Sequence, residues 1–223
     1  MRRLLKGLAS LGWFYAVGLA VATGALVGFA KLADEVLEGD VHPVNVAVLR
    51  GLHAHTSRSL DTIALGLSRL GDPAGTTVVG GLAVLAFTLR RRYLDAATLL
   101  LVLLGGTALS VVLKHSFRLP RPDLFASIAP ETGYGFPSAH AMMSVCLYGY
   151  LAAVLVLDGP RTAWWCAAAL ALVALGISWS RLYLAVHWLS DVAAGALVAI
   201  FWVGSCLLTR RVAASRQSPS PIP

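Results

Sequence analysis

Charge is scarce in this sequence. Of 223 residues only 13% are charged, while 57% are hydrophobic and the mean hydropathy is +0.74. Soluble domains carry about 25% charge and roughly 45–50% apolar residues, so a water-soluble globular domain is excluded. Cysteine is rare too. Cys146, Cys166 and Cys206 each fall inside an apolar run; an odd number at such positions gives no disulfide framework, and they read as small packing residues. No internal repeat is present, and the length leaves no room for a large second domain. His42, His53 and His55 lack the context of metal ligands and read as surface residues of a loop.

What the chain has instead is apolar runs near bilayer length. Six can carry spans, at 11–30, 75–89, 96–113, 138–157, 163–178 and 188–208, the second being the shortest. The expected fold is therefore all-α, an integral membrane six-helix bundle. In the polar stretch 31–72, Leu60, Ile63, Leu67 and Leu70 recur at helical spacing, which predicts short amphipathic helices in the first extracytoplasmic loop. Arg2, Arg3 and Lys6 resemble the start of a signal peptide, but the apolar run behind them is too long and has no A-x-A site. A retained first span is expected. The domain reading is a membrane-embedded unit over 1–212, its motif-bearing core at about 96–208, followed by a disordered, Ser- and Pro-rich cytoplasmic tail over 213–223.

The net charge of +7 is not laid out as a nucleic-acid footprint. Arg2, Arg3, Lys6, Arg90, Arg91, Arg92, Arg161, Arg210, Arg211 and Arg216 fall on one side if the spans alternate, and the positive-inside rule makes that side cytoplasmic. Trp13, Trp164, Trp165 and Trp188 lie near span ends, as interface anchors do.

The opposite side collects a different set. Alternating spans bring Lys114, Arg121, His140, Arg181, His187 and Asp191 to one membrane depth, where ionisable groups are costly unless they pair or bind something. Two arginines and a lysine suit phosphate oxygens. Ser138 and the amides after Pro137 open a helix whose N-terminus favours an anion. Asp191 lies one helical turn beyond His187, placed to hold one imidazole nitrogen and leave the other free as a nucleophile. His140 is then available as general acid for a leaving oxygen.

These residues stand in three ordered motifs: K-x6-R-P at Lys114 and Arg121-Pro122, a P-S-G-H variant at Pro137-Ser138-Ala139-His140, and S-R-x5-H-x3-D at Ser180-Arg181, His187 and Asp191. In their order and spacing the chain resembles the type 2 phosphatidic acid phosphatase superfamily. That resemblance implies that His187 attacks phosphorus to form a phosphohistidine, that Asp191 orients it, and that His140 protonates the leaving group. It implies that Lys114, Arg121, Arg181, Ser138 and the amide of Ala139 hold the phosphate, with no metal or other cofactor. Ala139 departs from the pattern, where glycine is usual. Its amide donor survives, and the methyl matters only if the backbone there needs positive φ or very close approach to phosphate.

The expected activity is hydrolysis of a phosphomonoester or pyrophosphate on a lipid at the extracytoplasmic face of a bacterial plasma membrane. Undecaprenyl pyrophosphate, phosphatidic acid and phosphatidylglycerol phosphate are the candidate substrates. Its partners are the lipid phosphate and the bilayer, not nucleic acid; oligomeric state is not encoded in these motifs. Two alternatives share the sequence: a lipid phosphotransferase using the same intermediate, and a catalytically inactive lipid-binding membrane protein, which only Ala139 favours. Arg118 divides evenly between phosphate contact and solvated loop charge, and His115 reads as structural. Asp123 and Glu131 lie in the loop between the first two motifs, toward the site entrance, and gain no role from sequence.

Overall fold

The computed structural model describes residues 2–217, and every regular element among them is helical. The long first helix, α1 (Arg2–Glu38), lies along the last, α9 (Leu189–Gln217). Small residues let them meet. Ala22, Ala25 and Ala33 are buried, and a Cβ on Gly18 would come within 2.8 Å of Leu208. Between apolar helices in lipid, close approach over small residues supplies the packing attraction that a hydrophobic difference cannot.

Two short helices follow, where amphipathic segments were expected: α2 (His42–His53), with proline in its first turn, and α3 (Arg58–Gly71), capped by Ser57, whose hydroxyl accepts the Leu60 amide at 3.3 Å. Then α4 (Pro73–Leu89) begins with Asp72 accepting the Gly75 amide at 2.7 Å. Asp72 is extended, with ψ 168°, because the residue before a proline is driven out of the helical region. The result is a 56° bend between α3 and α4. The run at 75–89 is thus not a straight span: α4 has 17 residues, short of the roughly 20 a crossing needs. With α3 it forms a broken pair beside five helices long and apolar enough to cross, so the six-span plan holds as five intact helices and one bent one.

The remaining spans are α5 (Tyr93–Phe117), the composite α6 (Ala139–Ser144) and α7 (Tyr150–Asp158) joined by a π-helical turn at Val145–Gly149, then α8 (Trp164–Tyr183) and α9. Leu99 and Val102 of α5, Met142, Cys146, Leu147 and Tyr150 of the composite helix, Ile177 of α8, and Val198 and Ala199 of α9 form the main core. Outward faces stay apolar, with Leu82, Leu104, Leu172 and Trp165 exposed, as a helix bundle solvated by lipid requires. Two expectations change. Cys166 is exposed on α8 rather than packed, although Cys146 and Cys206 are buried. The tail expected from 213 begins inside α9, and its part beyond Gln217 lies outside the described residues.

Candidate active site

At one end of the bundle, the termini of α5, α6, α8 and α9 converge with the 118–138 loop. His187 sits on the turn between α8 and α9 and is 1% exposed. Its Nδ1 lies 3.2 Å from Asp191 Oδ2, which also accepts the Trp188 amide at 2.9 Å. Burial, and after it the positive charges of Arg121, Arg181 and Lys114, holds His187 well below the ordinary imidazole value of 6.5. The ring is therefore neutral at pH 7. Beside an acidic partner, the neutral tautomer donates from Nδ1 and presents a lone pair at Nε2.

Three cationic side chains approach that ring from different elements. Arg121 NH1 lies 2.9 Å from His187 Nε2 and donates to the Val186 carbonyl at 3.0 Å. Arg181, from the last turn of α8, is also 1% exposed; NH1 donates to Ser68 Oγ of α3 and NH2 to Glu131 Oε1. Its Nε is the sole buried side-chain nitrogen or oxygen without a partner among the described residues. Lys114 reaches across from α5 to the Tyr134 carbonyl at 2.6 Å, so it bonds the loop rather than another side chain.

The start of α6 completes the wall. Ser138 is fully buried, and its amide donates to the Asp191 carbonyl at 3.0 Å. Its hydroxyl caps α6 by accepting the Ala141 amide at 3.5 Å. The two helices approach closely because Gly195 has no side chain: a Cβ there would lie 2.6 Å from the Ser138 carbonyl oxygen. Ala139 opens α6 and is absent from the non-glycine residues with positive φ, which among the described residues are Arg91, Arg118 and Ala185. Its methyl is therefore compatible with the backbone. His140 turns toward the same cavity, its Nδ1 3.6 Å from Glu131 Oε1.

All eight residues singled out from sequence thus lie around one site, six of them within a continuous set of contacts and Lys114 and Ala139 at its edge. Glu131, to which sequence alone assigns no role, is central here. Ser68 and Asn45 carry no signal in the sequence. Asn45 of α2 accepts the Ser190 amide at 3.0 Å and donates to its hydroxyl at 2.9 Å, bracing the first turn of α9. No spacing rule links residues so far apart. Arg118 and His115 face away: Arg118 takes φ 54° and donates to the His115 carbonyl at 3.0 Å, while His115 lies 2.9 Å from its own helix's Val111 carbonyl. His42, His53 and His55 are exposed, as read from sequence.

A neutral, buried imidazole whose basic Nε2 faces Arg121, a second imidazole across the cavity and three convergent cations form an arrangement suited to nucleophilic attack on a phosphoryl group. The chain is similar to known proteins. Phosphatidylglycerophosphatase B of Bacillus subtilis is 30% identical over 172 residues, covering 75% of this chain and 83% of the relative. The crystal structure of a transmembrane PAP2-type phosphatidylglycerolphosphate phosphatase from Bacillus subtilis superposes with a TM-score of 0.75 at 23% identity, over 88% of this chain and 97% of that one. Aquifex aeolicus LpxE gives 0.62 at 24% identity, over 74% and 94%. The PAP2 superfamily model matches residues 95–214, the stretch that carries all three motifs, and the chain belongs to that superfamily.

Proposed function

We propose that the protein is a membrane lipid phosphatase acting through a phosphohistidine on His187. The observation that carries this is the buried pair of His187 Nδ1 and Asp191, with Nε2 aimed into a cavity edged by Arg121, Arg181 and His140. Nε2 would attack phosphorus as the bond to the lipid oxygen breaks, and His140 would give that oxygen its proton. His140, now basic, would take a proton from water; the hydroxide attacks the phosphohistidine, the P–N bond breaks, and inorganic phosphate leaves. Arg121, Arg181, Lys114, Ser138 and the Ala139 amide would hold the phosphoryl oxygens, placing fixed donors where charge develops.

Phosphatidylglycerol phosphate is the first substrate to test, because the 30%-identical relative is named for that activity; phosphatidic acid and undecaprenyl pyrophosphate follow. The site faces the extracytoplasmic side in this reading, because Arg90, Arg91, Arg92, Arg210 and Arg211 gather at the other end. The deciding experiment is phosphate release by purified protein on these three lipids in the presence of a chelator. Release from at least one is expected, with loss of at least a thousandfold in His187→Ala, the order seen when a catalytic nucleophile is removed. Near-normal turnover by that variant sinks the mechanism.

A further inference from the structure

The phosphate cavity is already filled from within. Glu131 Oε2 lies 2.9 Å from Arg121 NH1 and 3.9 Å from His187 Nε2, while Oε1 is paired with Arg181 NH2 and lies 3.6 Å from His140 Nδ1. One carboxylate thus touches both arginines and sits between the two histidines, at the position a phosphoryl group must take to be attacked. The nucleophile is capped as well. The lone pair of neutral His187 Nε2 accepts from Arg121 NH1 at 2.9 Å, and a lone pair engaged in that bond is not available for attack on phosphorus.

The segment holding Glu131 is built like an arm. On one side Ser127 Oγ donates to the Leu184 carbonyl at 2.6 Å; on the other, Tyr134 and Gly135 are held by Lys114 at 2.6 Å and by the Leu119 carbonyl at 2.8 Å. Between these anchors the backbone groups seen bonded are the Ala129 amide, which donates to Ser127 Oγ at 3.1 Å, and the carbonyls of Thr132 and Gly133, which accept from Arg121 at 3.5 and 3.3 Å. Gly133 turns at φ 79°, a conformation open to glycine at no steric cost. Through its two bonds to these carbonyls Arg121 fastens the backbone just beyond Glu131.

We infer that Glu131 is a built-in competitor for the substrate phosphate, a residue that sets phosphate affinity by occupying the anion site and must be displaced before His187 can act. The inference rests on the reading of this cavity as the phosphate site. A phosphoryl group can win the exchange because a carboxylate has two oxygens and leaves Arg181 Nε without a partner. A third oxygen supplies the missing acceptor. Arg121, drawn to the phosphate, releases Nε2 at the same moment that the phosphorus arrives, so binding uncovers the nucleophile.

The test is binding of inorganic phosphate to full-length detergent-purified protein, by calorimetry, for the wild type and Glu131→Gln, each also in a His187→Ala background that cannot turn over. An arm seated about nine-tenths of the time weakens apparent affinity about tenfold, so Glu131→Gln is expected to bind phosphate roughly tenfold tighter in both backgrounds, with KM for a lipid phosphomonoester falling in parallel in the turnover-competent pair. Equal or weaker phosphate binding by Glu131→Gln overturns the inference and makes Glu131 a support for the arginines. The glutamine keeps the side-chain shape, and a wild-type melting profile certifies its fold. Failure of the phosphatase reading is separable: it removes turnover from the wild type as well and leaves the binding comparison standing.

Discussion

At the scale of single residues, His187 shows how environment sets chemistry. Its depressed titration, caused first by burial and then by Arg121, Arg181 and Lys114, means that the folded chain binds its proton only well below 6.5. The unfolded chain binds it near 6.5. Stability from this group is therefore complete above about pH 6.5 and is lost as pH falls toward the folded value. The expected result is that the melting temperature of the wild type, relative to His187→Asn, declines on acidification below about pH 6.5. A pH-independent difference contradicts it. The same neutrality predicts no acid limb near 6.5 in kcat/KM from the nucleophile itself. The motif residues were legible because each motif is local: His187 and Asp191 are one turn apart, and Ser180-Arg181 precede them directly. Glu131 was not, since its partners other than Arg121 lie on α6, α8 and the α8–α9 turn, and only the folded loop brings them together.

At the scale of elements, the α3–α4 bend and the α2–α9 contact do most to shape the site. A helix-breaking Asp72-Pro73 pair is readable from sequence, yet the run that follows it reads equally well as a straight span. What decides is that α3 must turn to put Ser68 against Arg181. Asn45 is the comparable device on α2. It satisfies the Ser190 amide, one of the donors that a helix start leaves unpaired, three residues beyond His187. Asn45→Ala is expected to lower kcat by roughly tenfold to a hundredfold through misplacement of the nucleophile, with KM nearly unchanged and a stability loss of about 1–3 kcal/mol for the orphaned donor. Asn45→Asp keeps the acceptor for that amide and should recover part of the turnover. Loss of stability with kcat intact would show a purely structural role.

At the scale of the whole molecule, the end opposite the site is closed by ion pairs rather than by packing. Asp95 Oδ2 meets Arg92 Nε and Oδ1 meets Arg210 Nε, both at 2.6 Å, and Arg210 also pairs with Asp158. Tyr150 donates to the Asp95 carbonyl at 3.2 Å. Starts and ends of three spans are thereby fastened together. Arg92 and Arg210 were read as topology charges, and the fold neutralises them internally. Asp95 is 5% exposed, and Asp95→Ala leaves Arg92 and Arg210 with Asp158 alone, so it should cost about 1–3 kcal/mol, the scale for losing hydrogen bonds to a charged group. The measurement is thermal unfolding in detergent, with KM for the lipid substrate expected to stay constant because the site lies at the other end. A melting temperature equal to the wild type refutes the clamp.

The sequence by itself determined the solvent, the number of apolar runs, the gathering of the ionisable residues at one end of the bundle and the motif that pairs His187 with Asp191. Those follow from one-dimensional quantities: run length against bilayer thickness, and helical periodicity. Only the tertiary structure decided that the second run is half of a bent pair, that Asn45 braces α9, that Arg92 and Arg210 share Asp95, and that Glu131 rests in the cavity of Arg121 and Arg181. Each of these joins residues distant along the chain, and the free energy of such a contact exists only once the helices between them have packed.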